Sequence, residues 1–273
     1  MKNLRAAAVT APLALLLAIT AAAGTLKCPP DSAKVGPTCV DKYEASVWQI
    51  PPTSTALIKR VQIGRATLAD LTGSGAVQLG CTGTPYNHTP YPARFPADGN
   101  WTPVFGSIPP SPGVYAASIP GVLPTACTTW FQAEEACALS GKRLLTNQEW
   151  QRAAAGTPDP GSTPGALDCN TNSSGPSNTG DRTNCASSWG VLDMIGNVDE
   201  WAADWVPRST DCPGWGSFSD DFMCLSGAST TDGPGALVRG GLWLGRSAAG
   251  VFAVFGGGLP SFSVGDIGFR CAR

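Results

Sequence analysis

Hydrophobic residues fall into two regimes along this chain. An apolar run fills residues 6–23, preceded by Lys2 and Arg5 and closed by Ala21, Ala22 and Ala23. A positive start, an apolar middle and small residues at the end predict a signal peptide over residues 1–24, removed on export. A membrane anchor is the competing reading, but the polar, proline-rich sequence from Lys27 onward has no basic stop-transfer cluster, which favours cleavage. Beyond it, two segments carry helical order. Thr129 and Gln132 can form a capping box, after which Trp130, Ala133 and Cys137 line one side until Gly141 stops the helix. Thr146 and Glu149 form a second box, predicting a helix over about residues 147–155 that buries Trp150 and Ala154 and ends at Gly156.

Composition describes the remainder. With 33 glycines, 24 prolines and only 14% charged residues, the body is expected to be short strands and long loops rather than a helical bundle. Residues 156–188 are rich in Gly, Pro, Ser, Thr and Asn, and such a stretch buries too little apolar surface to form an element. A surface loop closed by Cys169 and Cys185 is preferred to an interdomain linker, because the C-terminal part has no set of elements that would fold alone. One domain over residues 25–273 follows. Residues 85–124 are also proline-rich, with Tyr86, Tyr91, Phe95, Trp101, Phe105 and Tyr115 scattered through them. These rings either pin a long excursion against the body or form a ligand surface; their spacing builds no stacking platform, which favours packing.

Charge and cysteine narrow the function classes. Removing Lys2 and Arg5 from 18 basic residues leaves 16 against 20 acidic ones, a balance near −4 with no basic stripe for nucleic acid. No second apolar span follows the first, so no membrane span is expected after cleavage. Ten cysteines, without a Cys-x-x-Cys pair and with His88 as the single histidine, point to disulfides rather than structural zinc. A secreted, periplasmic or surface-associated protein without a free catalytic thiol is the expectation.

Several motifs then appear in order. Gly141-Lys142-Arg143-Leu144-Leu145-Thr146-Asn147-Gln148-Glu149-Trp150, Asp193-Met194-Ile195-Gly196-Asn197-Val198-Asp199-Glu200-Trp201, Arg239-Gly240-Gly241 and Gly268-Phe269-Arg270-Cys271 resemble the signatures of the formylglycine-generating (sulfatase-modifying) enzymes. Cys39-Val40-Asp41-Lys42-Tyr43-Glu44 resembles the opening strand of secreted bacterial members. The resemblance spans nearly the whole mature chain. It implies an α+β, C-type-lectin-like fold with short twisted antiparallel sheets, two main helices and much irregular loop. It also implies a Cys137–Cys271 disulfide tying the first helix to the last strand. Beside it we expect Cys28–Cys39, and, on order and nearness alone, Cys81–Cys127, Cys169–Cys185 and Cys212–Cys224. By the same resemblance Asn197, the Val198 carbonyl and Glu200 would help bind calcium, as hard oxygen ligands suited to that ion. The alternative is that Asn197 only makes a turn and Glu200 pairs with a nearby cation.

The resemblance breaks at the chemistry. In the catalytic family two cysteines beyond Arg-Gly-Gly hold copper(I) as soft thiolates. The matching positions here are Gly245 and Gly250, so copper is not expected. His88 alone cannot make an iron-binding histidine cluster, and a Ser-His-acid arrangement would also depend on it, with no nucleophile elbow nearby. A metal-dependent oxidoreductase with an atypical site stays open as the alternative, as does a structural component of an envelope assembly.

A binding protein for a protein or glycan ligand fits better. The C-terminal region resembles retroelement-diversified lectin-like receptors, in which a fixed frame displays changeable residues. Arg239-Gly240-Gly241 and Ile267-Gly268-Phe269-Arg270 would be the frame. Trp243, Leu244, Arg246, Phe252, Val254, Phe255, Leu259, Ser261 and Phe262 would be displayed, with Val251 and Ala253 inward and Arg246 and Asp266 on the rim. Phe252, Phe255 and Phe262 would equally serve as core under the terminal strand. Arg239 and Arg270, lying in the signatures, are expected to knit irregular backbone together, and Asp41 and Glu44 to join such internal networks.

Overall fold

The two ends of the folded body are zipped together. The computed structural model describes residues 26–81, 91–95 and 113–273. The expected signal peptide, Tyr86, His88, Trp101 and Phe105 lie outside the described residues. An N-terminal hairpin of β1 (Ser32–Val35) and β2 (Thr38–Asp41) pairs through β2 with β12 (Cys271–Ala272), which pairs in turn with β6 (Arg143–Leu144). Cys39 and Arg273 exchange backbone hydrogen bonds at 3.0 and 2.8 Å, so the last residue closes against the first hairpin. Lys142 fastens the same corner. Its buried ammonium lies 2.9 Å from Asp31 and 2.8 Å from Asp41, two carboxylates around one cation.

A second sheet places β3 (Ser46–Ile50) between β4 (Val77–Leu79) and β5 (Gly113–Ala117). β5 is buried along its whole length although it is an edge strand. The helix α3 (Trp130–Leu139) covers it, and the Ala116 N–H donates to Ser140 Oγ at 2.8 Å, which satisfies an edge group that would otherwise recruit another strand. The third sheet runs in the order β11 (Ile267–Phe269), β7 (Asp199–Val206), β9 (Gly235–Arg239), β10 (Val254–Gly258), β8 (Met223–Cys224). Its β11–β7 and β10–β8 pairs are parallel and the other two antiparallel. The main core lies where these sheets and α3 converge, on Val47, Leu79, Val114, Ala133, Cys137, Trp201, Val238 and Phe269. Its buried indole has an acceptor, Trp201 Nε1 donating to Thr128 O at 3.0 Å, as does that of Trp48 in a neighbouring cluster, donating to Ser46 Oγ at 2.9 Å.

Among the described residues four α-helices stand where two were expected. α3 and α4 (Asn147–Ala153) carry the capping boxes read from the sequence, with Thr129–Gln132 and Thr146–Glu149 bonding reciprocally. α4 is two residues shorter than its expected limit, Ala154 serving as C-cap before Gly156 at φ +77°. The additional helices are α1 (Thr55–Gln62), which buries Leu57 and Val61 one turn apart, and α2 (Leu68–Gly73), opened by its own Thr67–Asp70 box. Both are too short to stand without tertiary packing. Of the scattered aromatics, Tyr91 and Tyr115 are buried and Phe95 packs on the core.

Residues 156–188 form neither helix nor strand. They are more than the expected surface loop, since Cys169, Asn170, Thr171, Thr179 and Cys185 are buried. Thr179 Oγ1 lies within hydrogen-bond distance of the Ile119 and Val122 carbonyls, at 2.7 and 3.0 Å, so polar side chains hold this segment inward in place of apolar ones. The disulfides are Cys28–Cys39, Cys81–Cys127, Cys137–Cys271, Cys169–Cys185 and Cys212–Cys224, the pairs named from the sequence, and no described cysteine is free. Among the described residues no helix is long and apolar enough to cross a membrane.

Cys137–Cys271 closes a sequence separation of 134 residues and joins α3 to β12. Replacing both cysteines by alanine is expected to lower the unfolding free energy by roughly 2–5 kcal/mol, read from urea denaturation of otherwise oxidised protein. An unchanged transition midpoint would contradict this.

Candidate functional site

A tight turn feeds β7 into the centre of the molecule. Asp193 and Asn197 both sit at φ +58°, with Gly196 at +73° between them. Parallel pairing with β11 then sets Glu200 opposite Gly268, two residues before Arg270. Arg270 Nε donates to both Glu200 oxygens at 2.8 Å and Nη2 to Oε1 at 2.5 Å, while Trp150 Nε1 donates to Oε2 at 2.8 Å. The same guanidinium reaches the carbonyls of Asp41, Leu192 and Asp193 at 3.0–3.3 Å. Glu44 completes the cluster by accepting from Asn197 Nδ2 at 2.5 Å and from the Val198 N–H at 3.1 Å. Burial, with Asp193 and Glu200 nearby, pushes the Glu44 carboxyl well above the usual carboxylate range. Burial likewise raises Asp193 to about 6, against the opposing Gly180 N–H and Arg270.

This geometry gives the residues of the calcium expectation other partners. The Glu200 carboxylate is taken up by the Arg270 guanidinium and the Trp150 indole N–H, so it pairs with a nearby cation, as the alternative had it. Asn197 Oδ1 accepts from Asn170 Nδ2, Ser177 N and Ser177 Oγ at 2.8–3.2 Å. Asn197, the Val198 N–H and Glu200 thus serve the internal network. Among the described residues no group of three His, Cys, Asp or Glu side chains is placed to hold a metal.

Strand alternation turns Asp199 away from Glu200, and there it meets a cavity of about 380 Å³. Pairing of β7, β9 and β10 aligns Trp201, Val238 and Phe255, bringing Asp199, Val238 and Phe255 to one side. The loop after β9 forms the opposite wall. Gly240 and Gly241 take φ +93° and +81°, and a Cβ on Gly241 would stand 2.6 Å from Ala249 Cα. The backbone thus folds back on itself, through a 3-10 turn at Arg246–Ala248, and presents Leu242, Gly245, Ala248 and Ala249 to the cavity. Ala253, Val254 and Phe222 complete the lining. Burial and the adjacent Asp266 raise the Asp199 carboxyl to about 8, opposed by a hydrogen bond from the Gly241 N–H.

The two positions of the copper cysteines lie in or beside this wall. A Cβ on Gly245 would come 2.9 Å from Ala249 Cβ and 3.1 Å from Leu242 O. At Gly250 the space is taken: a Cβ would fall 2.2–2.3 Å from the Asp221 carboxylate, whose Oδ2 accepts the Phe252 N–H at 2.7 Å. A carboxylate locked to backbone stands where the second thiolate would be, so the donor set does not fit copper(I).

The expected display residues are divided by the fold. Phe255 lines the cavity, and Leu244 (54% exposed) and Arg246, also exposed, flank the lining residue Gly245. Phe252 is half-buried, its ring 4.9 Å from that of Phe218. Trp243 is a correction: at 3% exposure it is core, its N–H donating to Asn197 O and its carbonyl accepting from Ser173. Val254 is buried as well. Phe262 is exposed but belongs elsewhere, in a turn tied to the start of α3 by hydrogen bonds from Trp130 N to Pro260 O and Cys127 N to Val264 O. Arg239 has the internal role expected, donating to Asn147, Gln151 and Val251 O and stacking 4.5 Å over Trp150.

The sequence reading passed over a second group of aromatics. Phe222 lines the cavity with its ring 6.2 Å from that of Phe255; Phe218, 67% exposed, bridges Phe252 to Trp215. Trp215 Nε1 donates to Phe252 O at 3.0 Å, and Cys212–Cys224 closes this loop. Three aromatic residues within eight positions inside a short disulfide loop were the available signal.

The family profile described as the sulfatase-modifying factor enzyme 1-like domain matches residues 58–273. The chain belongs to this family. No curated protein matches it. The solved structure of PvdO from Pseudomonas aeruginosa is similar at 19% identity and a TM-score of 0.42, over 86% of this chain and 80% of that one. The crystal structure of CarF gives 18% and 0.42, over 86% and 85%. The Major Tropism Determinant I1 variant gives 22% and 0.39 over 53% of this chain, which spans only 37% of that protein. Membership in the sulfatase-modifying factor family agrees with the α+β class of short sheets seen here.

The raised acids fix a pH dependence. Asp193, Asp199 and Glu44 bind protons more tightly folded than unfolded, where Asp titrates near ~3.9. Their contribution to stability is therefore full below the unfolded value and lost as pH rises through about 6 for Asp193 and about 8 for Asp199. Glu149, held down to about 2 chiefly by Arg143, acts oppositely and loses its contribution only in strong acid. The urea midpoint should be higher near pH ~5 than near pH ~8.5, and Asp199→Asn should flatten that slope. A midpoint that rises over this interval would overturn the assignment.

Proposed function

We propose that this chain is an exported, non-catalytic member of the sulfatase-modifying factor family that binds a protein ligand through the cavity beside β7 and its aromatic border. One observation carries the reading: the family's copper loop has glycine at 245 and 250, with the Asp221 carboxylate in the second cysteine's space, and it walls an apolar cavity instead. Exposed Phe218, Phe222 and Leu244 continue the apolar surface outward, as at protein-recognition sites. A glycan would call for several converging polar groups, whereas the lining offers a single charged side chain, Asp199. Export is supported by the leader-like first 24 residues and by the five disulfides.

A peptide-display library panned on the oxidised protein tests this. Selected clones should lose binding to an Ala248→Trp variant, whose indole fills the cavity, and keep it on Phe131→Ala, which alters a separate exposed aromatic beside Trp205. Clones indifferent to Ala248→Trp would overturn the cavity as the binding site. Oxygen uptake by the copper(I)-treated protein with a cysteine peptide would overturn the non-catalytic assignment.

A further inference from the structure

The cavity joins two features that ordinarily exclude each other, an apolar wall and a carboxylate at its base. Its sides are Val238, Leu242, Ala248, Val254 and the rings of Phe222 and Phe255. Asp199 is its one ionisable lining residue and takes the Gly241 N–H as a donor. The charged groups acting on Asp199 are Asp266 and Glu200, both acidic. Arg270 is committed to Glu200, and Arg239, on the strand beside β7, to Asn147, Gln151 and Val251. No neighbouring cation offsets Asp199 through these contacts. Arg246, exposed beside the lining residue Gly245, is not among the charges acting on Asp199.

We propose that this cavity receives a lysine side chain of the protein ligand, its methylene stem against the apolar wall and its ammonium on Asp199. This deepens the protein-binding reading and rests on it. A four-carbon stem ending in a compact cation is the side chain that satisfies both features at once, since it buries apolar length and delivers charge at the tip. Phe222 and Phe255 are disposed to add cation–π attraction as the ammonium passes. Once Asp199 is ionised, above about pH 8, a carboxylate or phosphate would meet like charge and an all-aliphatic side chain would leave it without a counter-charge.

Two probes separate these cases on the oxidised full chain at pH ~9, between the Asp199 value of about 8 and that of a lysine near ~10.4: Nα-acetyl-lysine methylamide and its neutral isostere Nα-acetyl-norleucine methylamide, titrated with detection by NMR shift changes. The lysine probe should bind at least about tenfold more tightly, a difference of ~1.4 kcal/mol. Asp199→Asn should erase that preference while retaining norleucine binding, with thermal unfolding confirming that the variant is folded. Equal or tighter binding of norleucine to the unaltered protein would overturn the lysine proposal and leave the cavity as a protein-binding site. Binding of neither probe would also overturn it, and the display selection then decides the broader reading independently.

Discussion

The buried pair of Glu200 and Arg270 is the constraint on which most of the structure turns. Two charges removed from water need near-complete hydrogen bonding to be tolerated, and here the guanidinium and carboxylate are both surrounded by partners. Satisfying Arg270 forces the Asp41, Leu192 and Asp193 carbonyls to converge on it, which fixes the end of the first hairpin and the entry to β7. Satisfying Glu200 brings Trp150, and with it α4. Irregular chain is held in place by donors aimed at backbone oxygens, so the fold needs few long elements.

The same constraint decides what β7 offers to the outside. With Glu200 drawn inward, alternation delivers Asp199 to the opposite side, beside the loop that follows β9. That loop packs small apolar residues against the cavity, and the Asp221 carboxylate occupies the space a Cβ on Gly250 would need.

Legibility in the sequence followed range. The boxes at Thr129–Gln132 and Thr146–Glu149 act over three residues and could be read directly; Thr67–Asp70 is the same signal and was overlooked because α2 is only six residues long. The motifs around Glu200 and Arg270 carried the fold, since each holds part of one network. The cavity was not legible, because Asp199, Phe222, Val238 and Phe255 meet only through strand pairing. Trp243 was misplaced for a related reason: it was grouped with its neighbour Leu244 as displayed, whereas the left-handed backbone at Gly240 and Gly241 turns the indole into the core.

The covalent cross-link between α3 and β12 gives the molecule an unusual path for tension. Were the chain tethered at one end and pulled at the other, force would travel to Cys137, cross to Cys271 and leave at the following two residues. Everything from residue 138 to residue 270, including β7, the glycine loop and the aromatic border, lies off that path. Stretching could strip away the N-terminal hairpin and the helices before α3, yet the C-terminal face would be bypassed mechanically as long as the sulfur bridge stays oxidised.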